Sequence, residues 1–264
     1  PCLTKASPSL GIPLAAHQRL CGGLFGDGSL DLTRDPHTGV PRSARYRENQ
    51  GLIHWDWVRD QQAGLGPLTA AIKAPSPRVD ARGYTLVEAR TSRRADLLIY
   101  AQAFYTYRWV GSNGPNGPVL AKAYGAEPSG AKPPGPGSLG RGWRGTKGIP
   151  ANSGDLLDNP LSLAAWVAGD GRPKANGDFT LCTQGYTLAE NAVLAEILHQ
   201  TFGVRATVRL YSNGTRRYPE LYLPRGEGSK LLAHCDRHIA NLPSLRHRFA
   251  LAHRLWDQNR SDAG

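Results

Sequence analysis

Apolar and polar positions along this chain fall into helical and alternating stretches, and the same order of stretches occurs twice. The clearest pair is Leu20 to Gly28, LCGGLFGDG, and Leu163 to Gly171, LAAWVAGDG; each reads as an apolar helical turn ending in an acid. Small residues recur four apart in both, Gly22 with Gly26 and Ala165 with Gly169. Two helices with such faces can touch backbone to backbone. That contact brings Asp27 and Asp170 side by side, where two carboxylates repel unless a divalent cation or a proton lies between them.

The second copy continues with a strand-like stretch from Asp178 to Gln184, after a poorly marked strand that follows Gly171. Thr187 with Glu190 three residues on forms a capping box. Leu188, Val193, Leu194, Ile197, Leu198 and Phe202 then supply an apolar stripe, and Gly203 stops the helix. From Val204 to Tyr211, basic and polar residues alternate with Ala206, Val208 and Leu210, which predicts a strand with one inward face. Asn213-Gly214 is a hairpin signal, Arg217 to Leu223 the returning strand, and helices follow near Ser229 to Ala240 and Leu245 to Trp256.

The first copy repeats the order: a helix to Gly26, strands at Ser29 to Arg34 and Ala44 to Gln50, a helix from Leu52 to Ala63, strands at Leu68 to Lys73 and Tyr84 to Arg90, and a helix from Arg94 to about Trp109. Asn49-Gln50-Gly51 precedes one middle helix as Thr183-Gln184-Gly185 precedes the other. A longer loop around Asp35 to Gly39 accounts for the greater spacing in the first copy. The expected organisation is a first half at 1–110 with an N-terminal extension at 1–16, a Gly/Pro-rich basic linker at 111–148, whose composition defeats helix and sheet, and a second half at 149–264.

Charge narrows the partners. Lys and Arg number 32 against 21 Asp and Glu, a formal net charge of +11, which favours a polyanion and nucleic acid first. The four cysteines, Cys2, Cys21, Cys182 and Cys235, lack CxxC spacing, so a reducing compartment is expected and neither a zinc site nor a disulfide framework. No apolar run approaches the roughly 20 residues that span a bilayer, so no membrane partner is expected. The start at Pro1 is read as the trace of a trimmed upstream segment, with a chloroplast or mitochondrion as the expected location.

The paired nonapeptides, the repeated flanking elements and the basic balance together resemble the LAGLIDADG homing endonucleases in their single-chain, two-motif form. The match holds at the Leu, the small residues, the final acid and the closing Gly, while the family's other acidic position is Phe25 in one copy and Ala168 in the other. Thr146-Lys147-Gly148-Ile149-Pro150 looks like the family's entry to its second half, and Leu242 to Arg248 like its counterpart near the end, with Arg248 in the basic position and Arg246 a close competitor for it.

The resemblance implies an α+β fold of two pseudo-symmetric αββαββα halves, motif helices packed at the interface, and two saddle-shaped antiparallel sheets astride DNA. It implies a monomer with an internal pseudo-dimer that cuts both strands of a double-stranded target site with Mg²⁺ or Mn²⁺. Asp27 and Asp170 take the role of metal ligands, Lys147 and Arg248 of charge stabilisers, and Gln50 and Gln184 of solvent-ordering groups. Arg45, Arg47, Arg82, Arg90, Arg205, Arg209, Arg216 and Arg217 lie on predicted strands or hairpins, where Arg can fork to guanine edges or pair with phosphates. The rival reading is a protein of the same fold that binds intron RNA or rRNA without cutting, as a splicing factor or ribonucleoprotein component. Retention of both acids favours the nuclease, because folding RNA places no demand on paired metal carboxylates. His234, Cys235 and His238 share one predicted helix but lack an HExxH pattern, and neither a GxSxG elbow nor a phosphate-binding P-loop occurs.

Overall fold

Two runs of elements, each in the order helix, strand, strand, helix, strand, strand, helix, follow one another along the chain. The first is α1 (Leu14–Phe25), β1 (Gly28–Arg34), β2 (Pro41–Gly51), α2 (Trp55–Gly64), β3 (Arg78–Val79), β4 (Thr85–Arg90) and α3 (Leu98–Phe104). A hairpin of β5 (Tyr105–Val110) and β6 (Gly142–Lys147) and a single turn, α4 (Ser153–Leu156), precede the second run. That run is α5 (Pro160–Asp170), β7 (Gly171–Pro173), β8 (Phe179–Leu181), α6 (Leu188–Phe202), β9 (Thr207–Ser212), β10 (Arg217–Leu223) and α7 (Glu227–Ile239), and residues 243–250 add a last helix, α8. These elements come from a computed structural model that describes residues 3, 11–35, 41–69, 77–110, 142–212, 214 and 217–250.

Both four-stranded sheets are antiparallel and share one topology, β1-β2-β4-β3 and β7-β8-β10-β9. Alternation sets their faces. In β2, Ala44, Tyr46, Glu48 and Gln50 point inward and are buried, while Arg45, Arg47 and Asn49 are half-exposed on the outer face. Helix α6 begins with the complete capping box of Thr187 and Glu190 and stops at Gly203, whose φ of +64° is the left-handed conformation that glycine tolerates best. Helix α5 starts with Pro160 in its first turn and the Asn159 side chain accepting the Ser162 amide at 2.9 Å.

The two motif helices, α1 and α5, pack against each other at the centre. A Cβ on Gly22 would stand 2.0 Å from the Ser162 carbonyl oxygen and 2.8 Å from Ala165 Cβ, so the backbones meet with no room for a side chain. The Ser162 hydroxyl donates across the junction to the Gln18 carbonyl at 3.0 Å. Around this contact a single apolar cluster runs through both halves, including Leu20, Leu24, Phe25, Leu163, Trp166 and Val167. No helix among the described residues is long and apolar enough to cross a membrane.

Three expectations change. The stretch expected as linker at 111–148 ends in a strand, because Gly142–Lys147 pairs with β5 and the ladder satisfies a backbone that glycine alone would leave unstructured; residues 111–141 lie outside the described residues. The helix expected from Arg94 to Trp109 is confined to Leu98–Phe104, since Tyr105 to Val110 is an aromatic and β-branched run that prefers a strand. The strand expected at Leu68 to Lys73 is replaced at its start by a 3₁₀ turn, Gly66–Thr69, where Leu68 serves as a buried plug; residues 70–76 lie outside the described residues, and a two-residue β3 takes the edge of the sheet. The loop at 36–40 also lies outside the described residues.

Gly22→Ala is expected to lower the unfolding free energy by about 2 kcal/mol or more, since backbone must move to admit the methyl group. Gly154→Ala, which meets nothing within 4 Å, is the control expected to change it by less than about 0.5 kcal/mol. Urea unfolding of the two variants beside the parent chain measures both.

Candidate active site and nucleic-acid interface

The last turns of α1 and α5 cross so closely that each acid lies over the other helix. A Cβ on Gly169 would sit 3.5 Å from an Asp27 carboxylate oxygen, and a Cβ on Gly26 would sit 3.7 Å from the Asp170 carboxyl carbon. The two acids are not equivalent. Asp27 is exposed and accepts a hydrogen bond from Gln50 Nε2 at 2.9 Å, whereas Asp170 is 8% exposed and accepts from Trp166 Nε1 at 3.1 Å. Burial pushes the Asp170 carboxyl well above the usual carboxylate range, and the neighbouring Asp27 adds to the shift; Lys147, Trp166 and Arg248 oppose it.

Two cations cap the motif helices. Lys147 Nζ, carried by the end of β6, donates to the Gly26 and Gly28 carbonyls, the second at 3.0 Å. Arg248, on α8, donates from Nη1 to Ala168 O at 2.7 Å and from Nη2 to Gly169 O at 3.2 Å. Helix C-termini carry partial negative charge and unpaired carbonyls, which explains why a cation settles at each. Burial lowers the Lys147 ammonium, though Asp170, Asp27 and Glu48 pull it back up; burial likewise lowers Arg248. Arg246 is exposed, and Arg248 is the basic residue of its segment that reaches the motif helix.

A pocket of about 190 Å³ opens beside the acids, lined by Asp27, Asp170, Lys147, Cys182, Thr183 and Tyr186 among others. Gln184, expected to mirror Gln50, instead bonds to the Cys182 side chain. Behind Gln50 lies a polar cluster on the first half alone. Glu48, 1% exposed, accepts from Tyr46 Oη at 2.7 Å, Trp57 Nε1 at 2.8 Å and Gln61 Nε2 at 2.9 Å. A Cβ on Gly23 would lie 1.9 Å from the Tyr46 hydroxyl, so this cluster presses β2 directly against α1 and fixes the strand from which Gln50 reaches Asp27.

The outer faces of the sheets carry Arg45, Arg47, Arg90 and Arg209 among the other residues singled out from sequence. Arg45 and Arg47 share one Asp31 oxygen at 2.8 and 3.0 Å, and Arg47 and Arg90 both reach Glu88, at 2.6 and 3.4 Å. Arg209 lies over the Tyr222 ring at 3.1 Å from its centre. Arg217 and Arg205 are exposed, at the start of β10 and just before β9, and Arg82 is exposed in the turn between β3 and β4. Arg216 lies outside the described residues. The arginines of the first sheet are thus held in a charge lattice, while Arg209 on the second is held by an aromatic face.

Sequence reasoning missed three side chains at the site. Trp166 stands four residues before Asp170, the helical spacing that lets its indole reach the acid. Tyr186, two residues beyond Gln184, donates to Phe25 O at 2.8 Å and so ties the second half to the end of α1. His54 has a buried Nδ1 with no hydrogen-bond partner among the described residues, and burial together with Arg248 lowers its imidazole while Asp56 and Asp27 oppose. The His234, Cys235 and His238 group is structural: His234 bonds to Phe202 O at 2.9 Å, Cys235 is in the core, and His238 accepts from Arg237.

Known proteins resemble this chain in part of its sequence and in its fold. Residues 142–231 match the model of the LAGLIDADG DNA endonuclease family. Over 65 residues the chain is 40% identical to "Probable intron-encoded DNA endonuclease 3" of Mycosarcoma maydis, an alignment covering 24% of this chain and 48% of the other, so it spans about half the length of that curated relative. The structure of the homing endonuclease I-WcaI bound to its DNA recognition sequence aligns with a TM-score of 0.56 and 16% identity, covering 90% of this chain and 86% of that one. The I-LtrWI LAGLIDADG homing endonuclease bound to target DNA covers 94% and 91% at 8% identity, with a TM-score of 0.45. The first of these structures carries the fold: two αββαββα halves joined through their first helices.

The raised Asp170 has a consequence for stability. A carboxyl whose pKa is higher in the folded than in the unfolded chain stabilises the fold below its unfolded value, and that stability is lost as pH rises through the folded value. In chelator-containing buffer at neutral pH, Asp170→Asn is therefore expected to raise stability by about 1 kcal/mol, the worth of a single pKa unit, and to flatten the fall of Tm with rising pH. Thermal unfolding between acid and neutral pH is the measurement.

Proposed function

We propose that this chain, which belongs to the LAGLIDADG family and carries two of its motif helices, is a site-specific double-strand DNA endonuclease that works with a divalent metal ion. The observation that carries the reading is the crossing of Asp27 and Asp170 over each other's motif helix, with a cation seated at each helix end. Nothing in the packing of the fold calls for two acids at this point. A protein that only held RNA would gain nothing from a buried acid set against a second one.

The residues fit a hard divalent cation such as Mg²⁺ or Mn²⁺. Among the described residues no cluster of three His, Cys, Asp or Glu side chains is suited to a metal cage, and the pocket offers the two carboxylates instead. Mg²⁺ is commonly bound by one or two carboxylates, with waters and substrate phosphates completing its shell. When bound, such an ion offsets charge on the scissile phosphate and lowers the pKa of coordinated water.

The chain's own groups have separate tasks. Gln50 holds the Asp27 carboxylate and Trp166 holds that of Asp170. Lys147 and Arg248 hold positive charge beside the acids, where the phosphate develops negative charge and the 3′ oxygen departs. The outer faces of the two sheets bind the duplex, through Arg45, Arg47 and Arg90 on one and Arg209 on the other, and Arg217 adds a charge at the exposed start of β10, with phosphate contacts setting position and base-edge contacts setting sequence. The excess of positive charge makes binding weaken steeply with salt.

Incubation with a randomised duplex library and Mg²⁺, followed by sequencing of cut ends, is expected to recover one target site. Asp27→Asn and Asp170→Asn are each expected to lower double-strand cleavage of that site by a factor of 100 or more while duplex affinity changes little. Full cleavage by either variant, or tight intron RNA binding with no cutting of any duplex, would refute the reading.

A further inference from the structure

Asp56 and Glu190 stand at equivalent places in the two halves, each six residues after the glutamine that precedes its middle helix, Gln50 in one and Gln184 in the other. Both lie in the first turn of that helix, α2 or α6. Neither touches the pocket beside Asp27 and Asp170. Each reaches across to a segment that delivers one of the two site cations.

Asp56, in the first half, accepts the Ser244 amide at 2.9 Å on one oxygen and the Ser244 hydroxyl on the other. Ser244 is in the first turn of α8, four residues before Arg248. That helix has no cap of its own: Leu242 precedes it with no side-chain acceptor, and Pro243 has no N–H. The carboxylate from the other half therefore supplies the missing cap and fixes the helix whose Arg248 binds the carbonyls of Ala168 and Gly169.

Glu190, in the second half, accepts the Ile149 amide at 3.1 Å on Oε1, while its Oε2 closes the capping box with Thr187. Ile149 is two residues beyond Lys147. A Cβ on the intervening Gly148 would stand 2.9 Å from Glu190 Oε1, so a glycine leaves room for the carboxylate, and the Gly148 amide is itself bonded to Phe104 O at 2.9 Å. Lys147 in turn binds the end of α1.

We propose that Asp56 and Glu190 are paired positioning residues, each clasping from the opposite half the segment that places one site cation, Arg248 or Lys147, on its motif helix. The pattern is reciprocal: the first half holds the cation of the second motif helix, and the second half holds that of the first. Each cation-bearing segment is thereby pinned at two points, by its cation on the motif helix and by its backbone on the other half. Long, rotamer-rich side chains keep a fixed charge position only when the backbone beneath them is fixed.

The consequence for cutting rests on the endonuclease reading; the clasp itself does not. With a supercoiled plasmid holding the target site and strand-specific labels, Asp56→Ala is expected to slow cleavage of one strand at least tenfold more than the other. Glu190→Ala is expected to show the opposite strand preference, and both to accumulate nicked circles. Asp56→Asn and Glu190→Gln, which retain an oxygen for the amide, are expected to restore balanced cutting. Equal slowing of both strands, or no slowing, would overturn the proposal. Hydrogen exchange of the DNA-free chain gives an independent reading: amides 244–249 are expected to exchange at least tenfold faster in Asp56→Ala, and those of Gly148, Ile149, Ala151 and Asn152 in Glu190→Ala. Unchanged exchange would overturn the clasp even in a chain that cut nothing, whereas faster exchange without any cleavage by the parent chain would uphold the clasp and reject the endonuclease reading.

Discussion

The approach of α1 and α5, with Gly22 against the Ser162 carbonyl and Gly169 against the Asp27 amide, governs the rest of the structure. Helices that meet at their backbones leave no space between them for a side chain, so the first residues able to project are those at the ends. At this end both are aspartates. The same contact that joins the halves thus forces two carboxylates together at the mouth of a small pocket, and burial with mutual repulsion makes one of them costly to ionise. Sites that carry such tension are where function is sought, because packing alone gives no return for it.

The halves share a topology but not the means of holding their acids. Asp27 is approached by Gln50 from a strand locked beneath α1 by the Glu48, Tyr46, Trp57 and Gln61 cluster. Asp170 takes its bond from Trp166 on its own helix, and Gln184, which matches Gln50 in sequence but lies in a turn beyond β8, bonds to Cys182 instead. One acid is exposed and the other buried as a result. A single chain that duplicates a fold is free to diverge in this way, since each copy meets a different neighbour.

Much of the fold was legible because its determinants are local. The capping box of Thr187 and Glu190, the glycine at 203, the alternation in β2 and the four-residue recurrence of small residues in α1 and α5 each specify geometry within a few residues. The hairpin of β5 and β6 was not legible, because Tyr105 and Lys147 pair across 42 positions and Gly142–Lys147 has no strand signal of its own. At the site, Asp27 and Asp170 could be read from the duplicated pattern, and Lys147 from the family resemblance of Thr146 to Pro150. Trp166 needed only the helical spacing to Asp170, whereas the contact of Asp56 with Ser244 joins residues 188 positions apart and has no sequence signature.

On the proposed function, Asp27 and Asp170 form one metal-binding junction rather than two unrelated helix ends. Anomalous diffraction from a crystal of the chain bound to its duplex target and soaked in Mn²⁺ tests it most directly. A single junction gives an anomalous peak within coordination distance of both carboxylates and of a phosphate oxygen. Manganese bound only elsewhere, with the two aspartates contacting protein alone, would contradict it.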